Sequence, residues 1–175
     1  VALSLGATMA TAAETATVLI TGANRGIGLE YARQFEAKGY TVIGTARQPD
    51  EAAELKALGV RVEALDVTDA ASVAALAKRL DGVPIDILIN NAGITRDMTF
   101  KKMTKADWDI VMHTNLDSVF NMTKQVMDGM VERGWGRVIN VSSVNGSKGA
   151  FGQTNYAAAK SGMHGFTKSL SLEVA

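Results

Sequence analysis

The sequence contains no cysteine, which rules out a disulfide scaffold, a thiolate nucleophile and a cysteine zinc site. Histidine occurs only twice, at His113 and His164, too far apart in sequence to make a local metal motif, and proline also occurs only twice. Neither sign of charge is in excess. With 18 Lys and Arg against 18 Asp and Glu, net charge draws the chain toward neither nucleic acid nor an acidic membrane. No uninterrupted apolar run reaches membrane-spanning length. What is present is 175 residues, 47% of them hydrophobic, with 17 glycines, enough for one domain with a sizeable core. The expectation is a soluble, cytoplasmic globular domain with no metal, nucleic-acid or membrane partner.

Two stretches differ in character. Residues 1–16 are small, apolar or hydroxylated, with one charge at Glu14. They lack the basic start of a secretory signal and read as a disordered extension without catalytic chemistry. From Thr17 onward the pattern is periodic. Thr17–Thr21, Thr41–Thr45, Val60–Leu65, Asp86–Asn90 and Arg137–Val141 read as strands. Ile27–Lys38, Asp50–Leu58, Asp69–Leu80, Lys105–His113, Leu116–Arg133 and a last stretch from Asn155 read as helices. Strands alternating with helices predict an α/β fold: a doubly wound, Rossmann-type parallel sheet over residues 17–175. Ligands of such sheets bind beyond the carboxyl ends of the strands.

The loops at those ends carry the candidate chemistry. After the first strand comes Gly22-Ala23-Asn24-Arg25-Gly26-Ile27-Gly28, a glycine loop opening a helix. It departs from the G-x-G-x-x-G spacing but shares its physics, because glycines let a pyrophosphate approach a helix N-terminus. An ordinary glycine turn is the competing reading. After the second strand stands Arg47, where an NAD site wants an acid and an NADP site wants a cation for the 2′-phosphate. Arg25 and Arg47 together point to NADP(H), since guanidinium suits phosphate through paired hydrogen bonds. Asp66-Val67 and Asn91-Ala92-Gly93 follow the third and fourth strands and serve equally well as adenine and ribose contacts or as turn residues. Tyr156 and Lys160 open the last helix at i,i+4 spacing, which puts phenol and ammonium on one face. A nearby cation favours phenolate, so Tyr156 is a candidate proton donor to a carbonyl. Ser142 and Ser143 follow the fifth strand at the same edge.

Together TGANRGIG, LDV, NNAG, HTNLDSVFN, the serine thirteen residues before the tyrosine, and YAAAK resemble the short-chain dehydrogenases/reductases across Thr17–Ala175. The resemblance implies that Tyr156 is the general acid/base and that Lys160 holds the nicotinamide ribose and lowers the tyrosine pKa. It further implies that Ser143 positions the carbonyl and that Asn115 anchors a water in a proton relay. Gly22, Asn24, Arg25, Gly26, Ile27, Gly28, Arg47, Asp66, Val67, Asn91, Ala92 and Gly93, with Tyr156 and Lys160, would bind the cofactor. From Ile94 onward, ITRDMTFKKMTKADWD and GAFGQTNY look most like the acetoacetyl-CoA reductases of polyhydroxybutyrate synthesis. That likeness implies an acyl-thioester substrate lined by Phe151, Gln153, Ser143 and Tyr156, and a homodimer or homotetramer. A 3-oxoacyl-carrier-protein reductase and a catalytically silent nucleotide-binding fragment are the alternatives. Members of the family continue through two further strands beyond the last helix, so the expectation is a C-terminally incomplete domain.

Overall fold

The computed structural model describes residues 15–174; the expected disordered extension lies almost wholly outside them. A five-stranded, wholly parallel sheet forms the centre, in the order β3-β2-β1-β4-β5. Its strands are β1 (Thr17–Ile20), β2 (Thr41–Ala46), β3 (Arg61–Ala64), β4 (Ile87–Asn90) and β5 (Arg137–Asn140). The helices are α1 (Gly26–Ala37), α2 (Ala53–Ala57), α3 (Ala70–Arg79), α4 (Lys105–Met112), α5 (Ser118–Glu132), α6 (Val144–Lys148) and α7 (Thr154–Val174). This is the expected Rossmann-type winding.

The period-2 alternation of strand side chains splits the core in two. Leu19 and Leu88 face a layer built with Val73, Leu76, Met122 and Val126 of α3 and α5. Val18, Ile20, Ile87 and Ile89 face the opposite layer, with Leu29 and Ala32 of α1 and Leu55 of α2. β1 and β4 are buried along their whole length, so both read as continuous apolar runs. From β3 at one edge the chain crosses to β4 beside β1, and the strand order reverses between β1 and β4. A crevice therefore opens there at the carboxyl ends.

Three local readings need correction. The helix expected over Asp50–Leu58 is a 3-10 turn, Pro49–Glu51, followed by α2. Ala52, at φ −84° and ψ 54°, interrupts them. The helices expected at Lys105–His113 and Leu116–Arg133 are one path joined by a π-helical turn, His113–Asp117. The short helix α6 was not foreseen, since a five-residue segment containing Gly146 and Ser147 shows no helical period. At the outer edge of β5, a groove of about 600 Å³ opens between α5 and α7, lined in part by Met130, Trp135, Val138 and Leu170.

Candidate active site

The floor of the crevice is tied together by two side chains. Thr21 Oγ1 accepts hydrogen bonds from the backbone N–H of Asn91 and of Ala92, each at 3.0 Å. Asn91 Nδ2 returns two bonds, to the carbonyls of Thr21 and Gly22, also at 3.0 Å. The loops after β1 and β4 thus form one unit. Gly28 is required by close approach: a Cβ there would lie 2.3 Å from Gly22 O and 2.4 Å from Asn91 Nδ2. Asn24, Arg25, Gly26 and Ile27 rim this unit and are exposed. An open loop of main chain at the start of an α-helix fits a pyrophosphate.

On the β2–β3 side, Arg47 is exposed at the end of β2, and Asp66 is half-buried after β3. Burial pushes the Asp66 carboxyl up. The hydroxyl and amide hydrogen bonds from Thr68, and the charge of Arg47, outweigh it and hold the carboxyl below its usual range. Val67 is buried, and its carbonyl accepts from Asn121 Nδ2 of α5 at 3.1 Å. Arg47 therefore stands beside an ionised carboxylate with its fork open to solvent, which suits an added phosphate.

The β4–β5 side gathers the remaining groups. Lys160 is 3% exposed, and its Nζ lies 5.6 Å from the centre of the Tyr156 ring. Burial lowers its pKa to about 8. Nζ donates to Val141 O at 2.7 Å, anchoring the ammonium to the end of β5. Ser142 Oγ donates to Lys160 O at 3.0 Å and lies 2.9 Å from His164 Nε2, which seats α7 against the same strand end. Ser143 caps α6: its Oγ accepts from Asn145 N at 3.2 Å, and its O–H finds no acceptor among the described residues. The Tyr156 phenol likewise makes no hydrogen bond there.

Asn115 sits on the π-helical turn and is fully buried. Its Nδ2 donates to Ile94 O at 2.8 Å and to Val111 O at 2.9 Å, while its Oδ1 is buried without a partner. A Cβ at Gly93 would lie 2.7 Å from that Oδ1 and 3.6 Å from Lys160 Nζ, so Gly93 keeps the space between them clear. An orphaned buried acceptor beside a buried ammonium fits a bound water or ligand hydroxyl.

Of the residues expected to line the acyl pocket, two stand outside the Tyr156–Lys160 cluster. Phe151 is 93% exposed. Gln153 is committed at both ends: its Nε2 donates to Asp97 Oδ2 at 2.8 Å, and its Oε1 accepts from Asn145 Nδ2 at 2.9 Å. Sequence reasoning missed Asn145, Asp97 and Thr21, which hold the loops, and Asn155, which is fully buried next to the tyrosine. For Asn155 the only available signal was a polar residue in the first turn of a helix.

Fold and site together define a dinucleotide-binding oxidoreductase with a tyrosine–lysine pair at its crevice. The chain belongs to the short-chain dehydrogenase family, whose profile matches residues 16–175. It is 47% identical over 165 residues to an acetoacetyl-CoA reductase of Cupriavidus necator, covering 89% of this chain and 67% of that one. It is 48% identical over 162 residues to a 3-oxoacyl-acyl-carrier-protein reductase of Vibrio harveyi, covering 90% and 66%. A solved short-chain dehydrogenase from Streptomyces avermitilis superposes with a TM-score of 0.88 at 30% identity, covering 94% of this chain and 62% of that one. The chain thus spans about two thirds of the length of the curated relatives it matches. No helix among the described residues is long and apolar enough to cross a membrane.

Proposed function

We propose that the chain carries the cofactor-binding and proton-delivering machinery of an NADPH-dependent reductase that turns the 3-oxo group of acetoacetyl-CoA into a hydroxyl. The observation that carries this reading is the pairing of the Tyr156 ring with the buried Lys160 ammonium, 5.6 Å away. When bound, the reduced nicotinamide supplies a hydride for the carbonyl carbon. The chain's own residues do the rest. Tyr156 gives the phenol proton to the carbonyl oxygen, and the unpartnered Ser143 O–H donates to the same oxygen. Of the three Lys160 N–H donors, one is held by Val141 O and a second faces Met163 Sδ at 3.8 Å, which leaves the third for a ribose hydroxyl. Asn115 Oδ1 holds the water through which Tyr156 is reprotonated. Gly22, Asn24, Arg25, Gly26, Ile27, Gly28, Asn91, Ala92 and Gly93 cradle the dinucleotide, Asp66 and Val67 flank its adenine, and Arg25 and Arg47 meet the 2′-phosphate.

A carrier-protein thioester is the second reading, favoured by the 48% identity to the Vibrio harveyi reductase. Residues 17–175 supply the dinucleotide-binding and catalytic part of such a domain, in a cytoplasmic setting. The exposed Phe120 and Val131 of α5 mark the face across which two copies pair. The test is NADPH consumption with acetoacetyl-CoA and with acetoacetyl-carrier protein, each repeated with NADH. Faster turnover of the CoA thioester with NADPH supports the proposal. Faster turnover of the carrier-protein thioester transfers it to the second reading, and cofactor binding without turnover of either refutes both.

A further inference from the structure

We propose that Asn155 is a positioning residue: it locks the backbone of Tyr156 to the two segments that also hold Asn115, so that both ends of the reacting group are set by one frame. Asn155 is fully buried. Its Nδ2 donates to Arg96 O and to Asp107 O, each at 3.2 Å, and its Oδ1 accepts from Tyr156 N at 2.8 Å. Both of its N–H donors and one lone pair of its oxygen are used.

The pattern repeats that of Asn115. Asn115 bridges Ile94 of the loop after β4 to Val111 of α4, and Asn155 bridges Arg96 of the same loop to Asp107 of the same helix. Asp107 and Val111 are four residues apart on one helix, a rise of about 6 Å. Ile94 and Arg96 are two residues apart in a non-helical segment, about 6.6 Å when extended. The spacings nearly agree, so two asparagines act as successive rungs between one loop and one helix. Their remaining oxygens differ in use. Asn115 Oδ1 has no partner and faces the space beside Gly93 and Lys160, whereas Asn155 Oδ1 takes the Tyr156 amide. The strap beside the second rung is reinforced, because Met98 N donates to Gly152 O at 2.8 Å and Gln153 Nε2 binds Asp97.

A simple helix-capping role makes a different forecast from this one. Asp keeps an acceptor for the Tyr156 amide and suits a helix N-terminus, but it has no donors for the two carbonyls. Capping therefore predicts that Asn155→Asp behaves as the unmutated protein; the rung predicts that it behaves as Asn155→Ala.

The first readout needs neither cofactor nor substrate: the ¹³Cζ NMR resonances of the three tyrosines, with Tyr156 identified by its loss in Tyr156→Phe. In Asn155→Ala and Asn155→Asp the Tyr156 resonance should shift and broaden, while Tyr31 and Tyr40 stay in place. Leu76→Ala, a core variant on α3, should destabilise the fold and leave Tyr156 where it is. If Asn155→Ala does not fold, Asn155→Ser, which keeps one donor, should still displace the resonance. The second readout rests on the reductase reading: single-turnover reduction of acetoacetyl-CoA should slow by about 10²-fold. The NADPH dissociation constant should hold within about twofold. An unmoved Tyr156 resonance in Asn155→Asp, or an equal displacement in Leu76→Ala, overturns the proposal. Absence of turnover in the unmutated protein overturns only the reductase reading, because the resonances still decide the role of Asn155.

Discussion

The two sides of the crevice are held by opposite means. On the β1–β2–β3 side the fixed parts are main chain, and the charged groups, Arg25 and Arg47, lie exposed on the rim. On the β4–β5 side the groups behind the half-buried Tyr156 and Ser143 are themselves buried: Asn115 and Asn155 at 0% and Lys160 at 3% exposure. An exposed guanidinium asks little of the fold and can be changed at small cost to stability. A buried amide or ammonium must be matched by partners, so altering it disturbs stability and geometry together. On the proposed reading, recognition of the 2′-phosphate therefore rests on the exposed side and proton delivery on the buried side, built with different tolerance to change.

The sharpest way to break this contrast is on the buried side. Tyr156→Phe removes the proton, so turnover of acetoacetyl-CoA should fall by about 10²–10⁴-fold. Steady-state NADPH oxidation checks it; near-normal turnover would mean that another group is the acid.

Lys160 gives the next largest effect, and it appears in stability. Its folded pKa of about 8 lies below the ordinary 10.5. Between those values the unfolded chain holds more protons than the folded one, so stability should rise with pH across that window. Below pH 8 the cost of the buried cation is present in full. The rise should total about 3 kcal/mol and should vanish in Lys160→Met. Urea midpoints measured from pH 7 to 10.5 decide the matter, and a slope that survives in the variant would show that Lys160 is not its source.

Arg47→Asp probes the exposed side. Losing charge-assisted bonds of about 1.5–3 kcal/mol should weaken NADPH binding by about 10–100-fold, leaving NADH binding and thermal stability nearly unchanged. Smallest is Thr21→Val, which removes the acceptor for two N–H groups at the crevice floor. A loss of about 1–3 kcal/mol in unfolding free energy is expected, read by urea denaturation.

How much of this was legible in the sequence follows the same division. The glycine loop, Arg47 and the sheet were readable because turn chemistry, strand periodicity and the residue after each strand are local signals. The Tyr156–Lys160 pairing was readable for the same reason, being one helical turn apart. The buried frame was not. Asn155 bonds residues 59 and 48 positions away, and no local period announces such a partner. The π-helical turn that turns Asn115 inward leaves the apolar pattern of α4 and α5 almost continuous, so a 3.6-residue period passes over it. Gln153, read as a substrate contact from the resemblance, has both amide ends tied to protein groups, which only the folded loops reveal.

The division itself is tested most directly by titrating NADPH fluorescence against Tyr156→Phe, Arg47→Asp and the double variant. The dissociation constant of Tyr156→Phe should match that of the unmutated protein, and the double variant should match Arg47→Asp alone, because the proposed function gives the phenol to the substrate and the guanidinium to the phosphate. A double variant that binds NADPH about tenfold more weakly than Arg47→Asp would contradict the separation of affinity from chemistry.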